Sequence, residues 1–170
     1  IITKRNSDSI SGGFTFGTDG SKYDRIIIKN GRERFPLPKY AEIDRVDNYG
    51  NTRNDTNFYM DGSEVFNFSV TKAPELVSEL LRKSSLKFVD IDYFIFHQAN
   101  QIILETLGKK LKIPNEKLII EIANTGNTVS STIPIALHNS LKKGIIQKGD
   151  TILLAGFGVG FSWGGTILRI

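Results

Sequence analysis

A length of 170 residues is enough for one domain with a real core, and argues against two. A hydrophobic fraction of 39% and a charged fraction of 24% are those of an ordinary globular protein, and the net charge of +4 is scattered in ones and twos. That pattern leaves room for an acidic partner but carries no nucleic-acid signature, the absence of cysteine excludes disulfides and thiolate sites within the chain, and no stretch approaches the roughly 20 apolar residues of a membrane span.

The chain opens on Ile1-Ile2, which reads as the tail of a strand begun further upstream, and it has no signal-peptide arrangement. The first third is irregular, with glycine pairs, an Asp19-Gly20 turn, an Asn30-Gly31 turn and two prolines. One short strand is expected at 25–29, with Asn30-Gly31 closing a hairpin. Residues 36–57 read mostly as loop, and loops of that length in compact domains are often functional.

From Ser63 the period becomes helical. Val65, Phe66, Ser69, Val70, Ala73, Leu76, Val77, Leu80 and Leu81 recur at one-face spacing, with Ser63 as the expected N-cap and Pro74 as a point of kinking or division. "DYFIFH" then reads as a buried strand, 100–112 as a helix and "KLIIEIA" as a second buried strand. A further helix over about 130–143 stops at Gly144, and "GDTILLAGFGVGFSWGGTILRI" closes the chain as two strands around a glycine-rich crossing. This order describes a layered α/β domain with a mixed sheet.

Three polar islands interrupt the apolar elements: "HQAN" at 97–100, "NTGNT" at 124–128 and "GFGVGF" at 156–161. Each follows a strand of the expected core, and the carboxyl ends of strands in α/β sheets form the crevice where ligands bind. Parallel neighbours bring His97 and Asn127 together there, with free backbone N–H groups from the glycine-rich turn. Such a set stabilises negative charge developing on a carbonyl oxygen. Each island also has a plain structural explanation: a strand-end histidine is commonly a satisfied core residue, and Asn-Thr-Gly-Asn is good turn chemistry. "GFGVG" fails as a dinucleotide fingerprint, because it sits between strands and lacks the third glycine and the downstream acid. His138 reads as a surface residue, and no carboxylate pair or histidine cluster points to a metal.

"FHQAN", "NTGNT" followed by "STIP", and "GDTILLAGFGVGFSWG" closely resemble the C-terminal half of the 3-oxoacyl-acyl-carrier-protein synthase III family, and the resemblance extends back through "MDGSEVF" to "GTDGS". It implies the thiolase fold and a decarboxylative Claisen condensation, without cofactor or metal, between an acyl group on a cysteine and malonyl-acyl carrier protein. His97 matches the catalytic histidine and Asn127 the catalytic asparagine; together they hold the malonyl thioester oxygen, a role that favours His97 with its proton on Nε2. The Val159 backbone N–H matches the oxyanion donor to the acyl thioester, at a position where the family often has glycine. Met60, Gly62 and Phe66 match positions lining the thioester channel, Ala99 and Asn100 the segment against the pantetheine arm, and Lys109 and Lys110 a basic pair facing the acidic carrier protein. Ile102 stands where the family has an arginine.

The family's cysteine lies in an upstream half, so residues 1–170 are expected to be the C-terminal domain of a longer condensing enzyme, inactive alone, with a missing half that covers an apolar face. The resemblance further implies coenzyme A thioesters and acyl carrier protein as partners, a homodimer, a cytoplasmic location and a role in fatty acid biosynthesis. Two other readings stay open: a non-catalytic thioester-binding or partner module of the same fold, and a sibling enzyme of specialised metabolism.

Overall fold

The computed structural model describes residues 11–170; the expected strand tail at Ile1-Ile2 lies outside the described residues. In chain order the elements are strands β1 (Ser11–Thr18), β2 (Ile26–Ile28), β3 (Arg45–Val46), β4 (Thr52–Arg53) and β5 (Phe58–Met60), then helix α1 (Gly62–Ser84). Strand β6 (Tyr93–Phe96), helices α2 (Gln101–Leu111), α3 (Ile122–Thr125) and α4 (Thr132–Lys142), and strands β7 (Thr151–Gly158) and β8 (Ser162–Arg169) follow. The main sheet has the order β1-β8-β7-β6, with β6 and β7 parallel and β8 antiparallel to both of its neighbours, so the sheet is mixed as expected.

Helix α1 lies across one face of this sheet. Leu76, Val77 and Leu80 are almost wholly buried there with Leu153, Ala155 and Ile167 of the sheet, and α2 adds Leu104 and Leu107 to the same core. Truncating such a leucine to alanine typically costs about 2–5 kcal/mol. Gly165 permits the close approach: a Cβ there would stand 2.7 Å from the Leu154 carbonyl oxygen and 2.8 Å from Leu80 Cδ1. On the opposite face α4 covers only the β6 side, where Ala136 packs with Ile95, Ile119 and Ile152.

The N-cap of α1 is Asp61 rather than Ser63, its side chain accepting from the Glu64 N–H at 3.1 Å. Asp61 stands immediately before the first turn with a carboxylate that accepts a free helix N–H, and Ser63 becomes an ordinary first-turn residue. Pro74 does not divide the helix, which runs unbroken for 23 residues. Proline removes the N–H that the Val70 carbonyl would otherwise receive, and Lys110 Nζ of α2 donates to that oxygen at 2.7 Å.

Three other expectations are corrected. Asn30-Gly31 closes no hairpin: β2 pairs instead with β5, some thirty residues on, while the Asn30 N–H donates to the Asp55 carbonyl. The following Phe35-Pro36-Leu37-Pro38 stretch cannot form a ladder, because proline lacks the donor. The "irregular" start contains β1, an eight-residue strand paired along β8. The third concerns "KLIIEIA", which forms no strand: a single bridge links Phe94 to Leu118, and the chain turns into α3 at Ile122.

The buried side chain of Gln98, 1% exposed, replaces the missing ladder. Its Nε2 donates to the carbonyls of Phe96 (2.8 Å) and Ile119 (3.3 Å), and its Oε1 accepts the Glu121 N–H at 2.8 Å. Replacing Gln98 by leucine removes all three of these bonds to the backbone, and is expected to lower stability by about 2–3 kcal/mol in urea unfolding.

Candidate active site

His97 stands one residue beyond β6, its backbone N–H donating to the Ala155 carbonyl of β7 at 2.9 Å. The parallel β6–β7 pairing therefore sets where the imidazole sits. The ring meets Phe157 edge-on with centroids 5.8 Å apart, and Nδ1 lies 2.7 Å from Thr132 Oγ1. Burial holds the imidazole below its ordinary pKa of 6.5, so it is neutral at pH 7.

Asn127 arrives by a different route. From Glu121, fixed by Gln98, the chain makes the single turn of α3 and reverses at Gly126, whose φ of +64° suits glycine. Glu121 also accepts from Asn139 and Lys143, which anchors this loop to α4. Asn127 Oδ1 accepts the Val129 N–H at 2.9 Å, leaving its Nδ2 donors uncommitted among the described residues.

These segments meet at one cavity of about 580 Å³. His97 and Asn127 both line it, as does Val159 at the exposed tip of the β7–β8 turn. Met60, Gly62, Phe66, Ala99 and Asn100 line the same space, so eight of the ten expected site residues surround one void. Asn100 also has a structural task, its side chain capping α2 by accepting the Ile103 N–H at 2.8 Å. Ser69, Ser130 and Thr132 also line it, polar groups to which the sequence assigned no part in the site.

The two remaining residues are the lysines of α2. Lys109 is exposed and makes no ion pair among the described residues. Lys110 is engaged with the Val70 carbonyl, so the two lysines are not equivalent. Ile102 at the start of α2 is 70% exposed, and His138 is exposed as expected. The 36–57 loop lines a separate cavity of about 500 Å³ with Tyr23 and Phe58. Among the described residues no group of three or more His, Cys, Asp or Glu is placed to hold a metal ion, and no helix is long and apolar enough to cross a membrane.

The family model for 3-Oxoacyl-[acyl-carrier-protein (ACP)] synthase III C terminal matches residues 81–170. The chain belongs to this family. It is 39% identical over 169 residues to the beta-ketoacyl-[acyl-carrier-protein] synthase III of Acaryochloris marina, an alignment that takes in 99% of this chain and 49% of that protein. Among solved structures, a 3-oxoacyl-(acyl-carrier-protein) synthase III superposes with a TM-score of 0.94 at 38% identity, covering 100% of this chain and 50% of that one. The synthase III of Thermus thermophilus gives a TM-score of 0.80 at 28% identity, covering 99% and 49%. The fold is thiolase-like, and the chain spans about half the length of the curated relatives it matches.

The lowered His97 pKa has a signed consequence. The unfolded chain takes up this proton at higher pH than the folded one, so stability rises with pH below about 6.5. Urea unfolding between pH 7 and pH 5 is expected to show stability falling as the pH drops through this window, and His97→Gln to flatten that part of the curve.

Proposed function

We propose that this chain is the C-terminal half of a condensing enzyme that joins an acyl thioester to malonyl-acyl carrier protein with loss of carbon dioxide. The observation that carries the reading is the convergence of His97, Asn127 and Val159 on one cavity that is also lined by Met60, Gly62 and Phe66. No cofactor or metal is required.

His97 Nε2–H and Asn127 Nδ2–H donate to the carbonyl oxygen of the malonyl thioester. The bond from the α-carbon to the carboxylate breaks, carbon dioxide leaves, and the electron pair moves onto the α-carbon and the carbonyl oxygen as an enolate. Donors already in place for that charge lower the barrier, because they interact more strongly with the enolate than with the ground-state thioester. The enolate carbon then attacks the acyl carbonyl held on a cysteine, which makes the carbon–carbon bond and puts the carbonyl electron pair on oxygen; the Val159 N–H stabilises that oxyanion, and its collapse re-forms the carbonyl and expels the cysteine thiolate. This chain has no cysteine, and the nucleophile is assigned to an upstream half.

The surface supports a missing half. Phe14, Thr166 and Leu154 form one cross-strand row on the sheet face away from α1, and Phe16, Gly164 and Gly156 form the next. Phe14 and Phe16 are stacked yet 60% and 75% exposed. Large apolar groups in a contiguous patch mark a covered interface, and the upstream half is the natural cover. Acyl carrier protein docks at the exposed Lys109, a coenzyme A thioester supplies the acyl group, and the full-length enzyme works as a homodimer in the cytoplasm. Lys110 is reassigned from docking to stabilising α1, because its ammonium is already committed to a backbone carbonyl.

In the full-length enzyme, His97→Ala and Asn127→Ala are each expected to lower malonyl decarboxylation on the order of 10²-fold, while acylation of the cysteine from an acyl-coenzyme A survives. Equal loss of both half-reactions contradicts the assignment. Lys109→Glu is expected to raise KM for malonyl-acyl carrier protein at unchanged kcat. Lys110→Met instead lowers stability by about 1 kcal/mol and leaves that KM unchanged.

A further inference from the structure

We propose that the Thr132 hydroxyl fixes the His97 imidazole in the tautomer that carries its proton on Nε2, which makes Thr132 a positioning residue for the oxyanion site. The inference rests on the donor role of His97 given above.

Thr132 is the first residue of α4 and only 3% exposed. Its Oγ1 lies 2.7 Å from His97 Nδ1 and 3.0 Å from the Val129 carbonyl oxygen. A hydroxyl has one proton to give, so two arrangements satisfy these distances. In the first, Thr132 donates to Val129, and Nδ1 must carry the ring proton to make its contact. A neutral ring then has a bare lone pair at Nε2, which repels an enolate oxygen. In the second, Thr132 donates to Nδ1 and the ring proton resides on Nε2, where it serves as a donor.

Two observations favour the second arrangement. The Val129 carbonyl already accepts the backbone N–H of Thr132, which closes the short turn at 129–131, so it does not depend on the hydroxyl. His97 Nδ1 has no other partner among the described residues, and its contact is the shorter of the two. Burial keeps the ring neutral, so the choice of nitrogen matters. The same turn orients the other donor: the Val129 N–H occupies Asn127 Oδ1 and leaves the amide nitrogen for the substrate. Residues 127–132 thus hold both acceptor atoms of the pair, Nδ1 and Oδ1, away from the oxyanion.

The test uses the full-length enzyme as wild type, Thr132→Val, Thr132→Ser and His97→Ala, with malonyl-acyl carrier protein as substrate and 15N-labelled histidine for NMR. The wild-type His97 spectrum, assigned by its loss in His97→Ala, is expected to show a protonated Nε2 and an unprotonated Nδ1. Thr132→Val is expected to lower kcat for decarboxylation about tenfold with KM within about twofold, and to shift the spectrum toward a mixture of tautomers. Thr132→Ser restores both. A wild-type spectrum with the proton on Nδ1 overturns the proposal, and this readout depends on no Thr132 variant folding. An unchanged kcat and tautomer in Thr132→Val, with His97→Ala inactive, also overturns it while leaving the functional reading intact. Full decarboxylation in His97→Ala overturns the functional reading itself.

Discussion

A single buried amide, Gln98, joins the parts on which the rest of the site depends. It follows His97 directly and uses both ends of its side chain on backbone groups: the donors on Phe96 and Ile119, the acceptor on the N–H of Glu121. Unpaired polar groups in such a place are costly, so the side chain is held in one position as firmly as a ladder would hold it. The strand end bearing the imidazole is thereby tied to the segment that leads to Asn127. Two residues far apart in sequence acquire a fixed relation before any substrate arrives.

The constraint propagates outward through α4. The Glu121 N–H donates to Gln98, and the Glu121 carboxylate accepts from Asn139 and Lys143, so the segment leading to Asn127 is anchored where it begins. Thr132 at the other end of α4 reaches His97 Nδ1. The helix is therefore linked to both catalytic candidates, at its start through the imidazole and at its end through Glu121. On the opposite face, burial of α1 against Gly165 and the β7–β8 pair keeps β7 in place, and β7 supplies the carbonyl that holds the His97 backbone. Preorganisation of this kind lets donors act on developing charge without reorganising at the moment of reaction.

Much of this was legible in the sequence because the relevant signals are local. The apolar run ending in His97 and the glycine-rich turn at 156–161 mark strand ends whatever the rest of the chain does, and the residues read from the three islands do converge on one cavity. The parts that were not legible depend on distant partners. "KLIIEIA" has the composition of a buried strand, yet a glutamine side chain from another segment takes the place of its ladder. Phe14 and Phe16 alternate as strand residues do, but the glycines around them resemble turn material, and only pairing with β8 shows the strand. Lys110 looked like its neighbour Lys109 until Pro74, on another helix, left a carbonyl within its reach. Thr132 lay within a quoted motif and gave no sign of its bond to His97.

In the proposed function, His97 and Asn127 hold one oxygen of a malonyl thioester. The most direct measurement is a crystal structure of the full-length enzyme with a stable, non-decarboxylating malonyl-thioester analogue. The thioester oxygen is expected at roughly 3 Å from both His97 Nε2 and Asn127 Nδ2, with the analogue's arm running past Met60 and Phe66. An analogue bound in the cavity with that oxygen against neither side chain, or with the oxygen on Nδ1 after rotation of the ring, would contradict it.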